Sequence, residues 1–221
     1  LKQATVLFAD IVGSTEHIAA LDPEQAMEHL RPVIHRMCDS VEQFGGTVIR
    51  TLGDGVMALF GVPKSLEGHA VLACEAALSM QAVFSHARGG LQVRVGLHSG
   101  QVASDPHDAK GGRGGGAHGL TIHLASRVVA LAQPGGVCLT GATKALLGNT
   151  CQLRSMGEFP LKGIMGLTPI FELLGMTVRQ PDTASGNWLT PFHGRALEMD
   201  ILQAALARTR TGDARVVGIS A

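Results

Sequence analysis

Apolar and polar positions change period several times along the chain, and each change marks an element. Ala4 to Phe8 (ATVLF) is a continuous apolar run, the pattern of a buried strand. The polar DIVGST follows at Asp10 to Thr15, and Asp22-Pro23 supplies an N-cap with proline at the first helical position. Met27, Leu30, Ile34, Met37 and Val41 then fall on one helical face, predicting a helix to about Phe44 that Gly45-Gly46 ends. Thr47 to Leu52 and Val56 to Phe60 are short apolar runs around Gly53-Asp54-Gly55, a hairpin signal. An Ala-rich stretch predicts a second long helix over Leu66 to Ala87, and Leu91 to His98 a strand turned by Ser99-Gly100, with a further short strand at Gln101 to Ala103.

Ser104 to Gly119 has no period. The GGRGGG run at Gly111 to Gly116 orders only at high backbone entropy cost. Leu120 to Leu131 predicts a third helix, stopped by Pro134-Gly135-Gly136. Val137 to Thr140 reads as a strand, the residues through Leu147 as a short helix, and Leu153 to Met156 and Ile170 to Leu174 as final strands.

The order strand, helix, strand, strand, helix, strand, then additions is the split βαβ pattern. The expected fold class is α/β (α+β): a ferredoxin-like sandwich with a mainly antiparallel sheet and flanking helices. The expected division is a main domain over residues 1–176, a linker over 177–191 and, over 192–221, the opening of a further unit. That last part carries FHGR at Phe192 to Arg195, an amphipathic stretch to Leu206 and a strand-like Arg215 to Ser220.

Composition narrows the partners. Lys plus Arg number 18 and Asp plus Glu 18, so the net charge is zero with His neutral. No basic patch stands out, and nucleic acid is not an expected partner. The four cysteines, Cys38, Cys74, Cys138 and Cys151, form no CxxC pair, so neither a zinc site nor a disulfide framework is expected and a reducing cytoplasm is the plain reading. No apolar run approaches the roughly 20 residues that cross a bilayer, so no membrane partner is expected of this stretch.

The candidate chemistry begins with two carboxylates. Asp10 closes the first strand and Asp54 sits at the hairpin tip. A split βαβ fold can set that strand beside that hairpin and bring the carboxylates together. Hard cations such as magnesium take carboxylate oxygens together with phosphates and water. Gly13, Ser14 and Thr15 lead from Asp10 into a helix, where small residues let backbone amides reach phosphate oxygens. Gly53 and Gly55 leave room around Asp54. A single Asp at a turn is ordinarily a turn former, so neither residue alone carries weight.

FADIVGST at Phe8 to Thr15, followed by TLGDGVMALFG at Thr51 to Gly61, resembles the class III adenylate and guanylate cyclases. VRVGLHSGQV at Val93 to Val102, GLTIHLASR at Gly119 to Arg127, PGGVCLTG at Pro134 to Gly141 and LKGI at Leu161 to Ile164 are similar to further motifs of that family, in its order. The resemblance covers about Thr5 to Leu174. It implies conversion of ATP, or GTP, to a 3′,5′-cyclic monophosphate and pyrophosphate by a two-metal mechanism. It implies that Asp10, Asp54 and the backbone carbonyl of Ile11 hold two divalent cations, Mg2+ or Mn2+, and that Gly13, Ser14, Thr15 and Lys162 contact phosphates. Arg127 matches the arginine that stabilises charge on the α-phosphate, a role suited to a permanently charged donor fork. The family works as a homodimer whose sites take the aspartates from one chain and the Arg127-type residue from the other.

Three positions depart from the family pattern. Arg50 stands where a base-reading lysine is expected, Gly116 where Asp or Thr helps to read the purine (with His118 nearby), and His123 where Asn orients the ribose. Phosphate handling is thus intact while base reading is altered, which predicts weak activity or relaxed base selectivity, with ATP the default substrate. The alternative is a catalytically degenerate, nucleotide-binding regulatory and dimerisation module. Another two-metal enzyme would need more ligands, and His98 and His123 form no HxH or HxxxH cluster. The stretch FHGRALEMDILQAALA resembles the start of the signalling ATPase domains that follow some soluble cyclases, although no GxxxxGK[ST] appears.

Overall fold

A computed structural model describes residues 1–14, 22–85, 91–104, 117–177 and 196–209. Chain contacts divide it into a unit spanning Leu1–Val178 and another spanning Arg179–Ala221. In the first, the elements are β1 (Lys2–Ile11), α1 (Pro23–Gln43), β2 (Thr47–Leu52), β3 (Gly55–Phe60), α2 (His69–Ser85), β4 (Val93–Ser104), β5 (Ala117–His118), α3 (Leu120–Val128), β6 (Val137–Thr140), α4 (Gly141–Leu147), β7 (Cys151–Pro160) and β8 (Leu167–Met176). The second contains α5 (Ala196–Thr209), on the predicted amphipathic stretch. Among the described residues, no helix is long and apolar enough to cross a membrane.

The strands form a sheet in the order β2-β3-β1-β4-β6-β8-β7, with β5 paired to β4. The first four strands stand in the split βαβ order expected from the sequence. The sheet is mixed rather than antiparallel throughout. β4 and β6 run parallel, joined by a crossover that contains α3, while the other described pairs are antiparallel.

Strand alternation buries apolar residues on both faces of the sheet. Leu7, Ala9, Ile11, Val56, Ala58, Phe60, Val93, Val95 and Leu97 are buried with Met37 and Val41 of α1 and Ala73, Ala77 and Met80 of α2. The opposite face buries Ala4, Val6, Met57, Leu59 and Val102 with Ala125 of α3. Asp22 caps α1 as predicted, accepting a hydrogen bond from the Gln25 amide at 2.9 Å.

Several sequence expectations shift. Ser99-Gly100 does not turn the chain: β4 runs unbroken because β1 pairs with it from Lys2↔Val102 to Ile11↔Val93. Gly100 serves packing instead, since a Cβ there would lie 2.8 Å from Thr121 Oγ1. The third helix changes to a 3-10 turn at Val129–Leu131. The second helix begins at His69, three residues after the expected Leu66. β7 and β8 extend well beyond their apolar centres, because their pairing continues from Cys151↔Met176 to Pro160↔Leu167.

Candidate active site

Asp10 and Asp54 meet because β1 and β3 are paired to their ends. Asp10 lies across from Gly55, and the Ile11 amide donates to the Asp54 carbonyl at 3.2 Å. A strand residue turns its N–H and C=O to the same edge, so Ile11 also presents its carbonyl toward the hairpin tip. Gly53 makes that tip possible with φ of 65°. Ser14, buried, donates its hydroxyl to Asp54 Oδ2. The exposed Gly13, at φ 68°, precedes it.

A residue that the sequence reading missed completes this corner. Arg94, across from Asp10 in the β1–β4 register, donates to Asp10 Oδ2 from Nε at 3.0 Å and from Nη2 at 2.6 Å. The signal was present in VRVGLHSGQV, but only the strand register aims that arginine at the carboxylate.

The donor chemistry here fits a hard cation. Asp10, the Ile11 carbonyl and Asp54 lie at the adjoining ends of β1 and β3, and a Cβ added at Gly55 would fall 2.7 Å from the Ala9 carbonyl oxygen, so glycine lets the hairpin sit this close to β1. Among the described residues no group of three or more His, Cys, Asp or Glu side chains could hold a metal. A cation at this corner would therefore complete its shell with phosphate and water oxygens, as magnesium does.

A second concavity lies under α3. Leu120, His123, Leu124, Arg127, Lys162, Gly163 and Ile164 line a pocket of about 210 Å³. His123 and Arg127, four residues apart, share one face of α3, and Lys162 comes from the turn between β7 and β8. The helix is fixed at both ends. Thr121 Oγ1 donates to the Gln101 carbonyl at 2.6 Å, and a Cβ at Gly96 would lie 2.3 Å from the Val129 nitrogen. Asp10, Ser14, Arg50 and Asp54 do not line this pocket.

Arg50 is exposed on β2, across from Met57, which in turn lies across from Phe8. It therefore belongs to the sheet face that carries Asp10. Thr15 and Gly116 lie outside the described residues, as do all the residues between β4 and β5, 105–116. The sequence-predicted residues thus gather into two groups, an acidic corner and a cationic pocket, on one chain.

Comparisons with known proteins place the chain in a family. Residues 1–174 match the model of the adenylate and guanylate cyclase catalytic domain. Adenylate cyclase 1 of Rhizobium meliloti is 27% identical over 195 residues, covering 84% of this chain and 29% of that relative, so the chain spans less than a third of its length. The adenylyl cyclase CyaB from P. aeruginosa superposes with a TM-score of 0.71 at 24% identity, covering 80% of this chain and 96% of that one. The guanylate cyclase domain of RhGC from Catenaria anguillulae in complex with GTP superposes with a TM-score of 0.70 at 20% identity, covering 80% and 98%. The family match over most of the chain shows that the chain belongs to the adenylate and guanylate cyclase catalytic domain family.

Proposed function

We propose that this chain is the catalytic part of a nucleotide cyclase that converts ATP, or GTP, to the 3′,5′-cyclic monophosphate and pyrophosphate. The observation that carries the reading is the division of the polar residues within one chain. Asp10, Asp54 and Ser14 converge at one corner, while His123, Arg127 and Lys162 line a separate pocket. Each group is half of a site, and a homodimer pairs the halves across its two-fold axis.

In the reaction the 3′-oxygen bonds to the α-phosphorus, the bond to the bridging β-phosphate oxygen breaks, and the 3′-hydroxyl proton is lost. Asp10, Asp54 and the Ile11 carbonyl would hold the divalent cations, Mg2+ or Mn2+. When bound, such ions lower the pKa of the attacking hydroxyl and neutralise the leaving phosphates. Gly13, Ser14 and Thr15 present small donors to phosphate oxygens. Lys162 holds the triphosphate as a point charge. Arg127 offers its donor fork to the charge that grows on the α-phosphate. His123 orients the ribose by a hydrogen bond, and Arg50 approaches the base. Glycine at Gly116 gives the base no side chain to pair with, so discrimination between ATP and GTP is expected to be weak.

Cytoplasmic placement follows from a nucleoside triphosphate substrate. The proposed domain limits remain residues 1–176, 177–191 and 192–221, with the last as the start of an ATPase-like unit.

The test is incubation with ATP or GTP and Mg2+ or Mn2+, with the product identified by mass and Asp54→Ala run alongside. Cyclic product from the wild type and none from the variant is expected. Product that survives Asp54→Ala overturns the metal assignment. A second reading, a nucleotide-binding regulatory module, draws on the Arg94–Asp10 ion pair, which neutralises one proposed metal ligand. Nucleotide binding with no cyclic product under any of these conditions would establish that reading instead.

A further inference from the structure

Asp10 and Asp54 are held in place by different means. Asp10 stands in β1 between two paired strands, and Arg94 of β4 donates to its carboxylate. Asp54 sits in the turn between β2 and β3, outside both of the strand ladders that meet at β3. Its neighbours are Gly53, at φ 65° with nothing within 4 Å of an added Cβ, and Gly55. A side chain at such a tip turns freely unless something fixes it. The chain that leaves β1 supplies two ties. The Ile11 amide donates to the Asp54 carbonyl at 3.2 Å and fixes the backbone. The chain then turns through Val12 and Gly13, the latter at φ 68°, and brings Ser14 back to the tip. There the Ser14 hydroxyl donates to Asp54 Oδ2.

A serine hydroxyl carries a single proton, and here Asp54 takes it. Ser14 is only 4% exposed, whereas Asp54 is half-buried at the surface of the corner. The hydroxyl thus points inward onto a carboxylate and has no second proton for a phosphate oxygen. Any donor from Ser14 to a phosphate must then be its backbone N–H.

We propose that Ser14 is a positioning residue for Asp54, its hydroxyl fixing the carboxylate in the orientation that receives a divalent cation. This rests on the reading of Asp10 and Asp54 as metal ligands. The effect is preorganisation. A loose carboxylate at a glycine-flanked tip loses rotamer freedom when a cation binds, whereas one tied by Ser14 has already lost it on folding. An opposing effect is smaller: the hydrogen bond draws some charge from Oδ2 and weakens its pull on the ion. Outer partners of metal ligands raise affinity on balance, since their loss typically costs about 10- to 100-fold in metal affinity or activity.

The test measures Mn2+ binding to the whole chain without nucleotide, by paramagnetic resonance of the free ion, for the wild type, Ser14→Ala, Ser14→Thr and Asp54→Ala. Ser14→Ala is expected to weaken binding about tenfold, and Ser14→Thr, which keeps the hydroxyl, to return it to within about threefold of the wild type. Wild-type affinity in Ser14→Ala would overturn the proposal and leave the serine to the phosphates. A loss that Ser14→Thr does not restore would overturn it too, because the hydroxyl is then not the cause. So would a Ser14→Ala that loses its cooperative urea transition along with the metal, since the serine then serves the fold. Failure of the underlying reading looks different. Wild-type Mn2+ affinity in Asp54→Ala would remove the metal assignment itself, whereas weakened binding in Asp54→Ala beside normal binding in Ser14→Ala removes the role of Ser14 alone.

Discussion

Nε and Nη2 of Arg94 donate to the same oxygen of Asp10, Oδ2, at 3.0 and 2.6 Å. The guanidinium supplies the positive charge beside a carboxylate proposed to hold metal. A cation arriving without nucleotide must compete with it, whereas a triphosphate offers the arginine other oxygens. Both side chains keep partial exposure, 34% and 26%, so the pair is a modest barrier. Arg94→Met is expected to tighten nucleotide-free Mn2+ binding about three- to tenfold, or about 0.7–1.4 kcal/mol. Paramagnetic resonance of free Mn2+ reads this without any turnover. Equal affinity in variant and wild type would mean that the pair does not compete with metal.

The separation of the acidic corner from the α3 pocket gives a mixing prediction. Asp54→Ala and Arg127→Ala are each expected to be inactive alone, since every site of either homodimer lacks one half. Mixed and allowed to exchange, they are expected to recover about a quarter of the wild-type rate, because about half the dimers are mixed and each holds one intact site. No recovery, with exchange verified by native mass spectrometry, would show that the halves do not complement across chains.

These contacts also mark what the sequence could and could not disclose. The strand-helix order and the glycines flanking Asp54 were enough to place Asp10 beside the hairpin, because pairing of β1 with β3 is local to the split βαβ unit. The α3 helix was equally legible from its apolar period. Arg94 was not, because its role depends on the register of β1 against β4, separated from it by over 80 positions in the Asp10 contact. Gly100 misled for a related reason. Ser-Gly is a turn signal in isolation, but here the glycine makes room for Thr121, a tertiary demand that no local pattern records.

Gly96 is the stricter of these close approaches. A Cβ there would meet the Val129 nitrogen at 2.3 Å and its Cα at 2.6 Å, both backbone atoms that cannot rotate away. Gly96→Ala is therefore expected to lower unfolding free energy by about 1–3 kcal/mol, the usual range for overpacking. Because it pushes on the end of α3, it is also expected to weaken nucleotide binding through His123 and Arg127. Gly175→Ala, with nothing within 4 Å of its added Cβ, is the control and is expected to change stability by about 0.5 kcal/mol or less. Equal urea midpoints for the two variants would contradict the packing account.

Acid sensitivity is expected to centre on His98. Its ring is buried at 8% exposure and hydrogen-bonded to Thr140 Oγ1 at 2.7 Å. Burial pushes its pKa down from 6.5 to about 4, and His69, hydrogen-bonded to Thr5 at 2.7 Å, is lowered by the same cause. Between those two His98 values the unfolded chain binds a proton that the folded chain refuses, so stability falls as pH falls through this window and flattens below it. The full His98 contribution is on the order of 3 kcal/mol. Carboxylates titrate in the same range, so the comparison that isolates the ring is the wild type against His98→Gln, whose amide can still bond Thr140. Urea unfolding from pH 7 to pH 4 is expected to show the wild type losing more stability than the variant, the gap opening below about pH 6.5. Parallel curves would assign the acid sensitivity to other groups and leave His98 a neutral packing residue throughout.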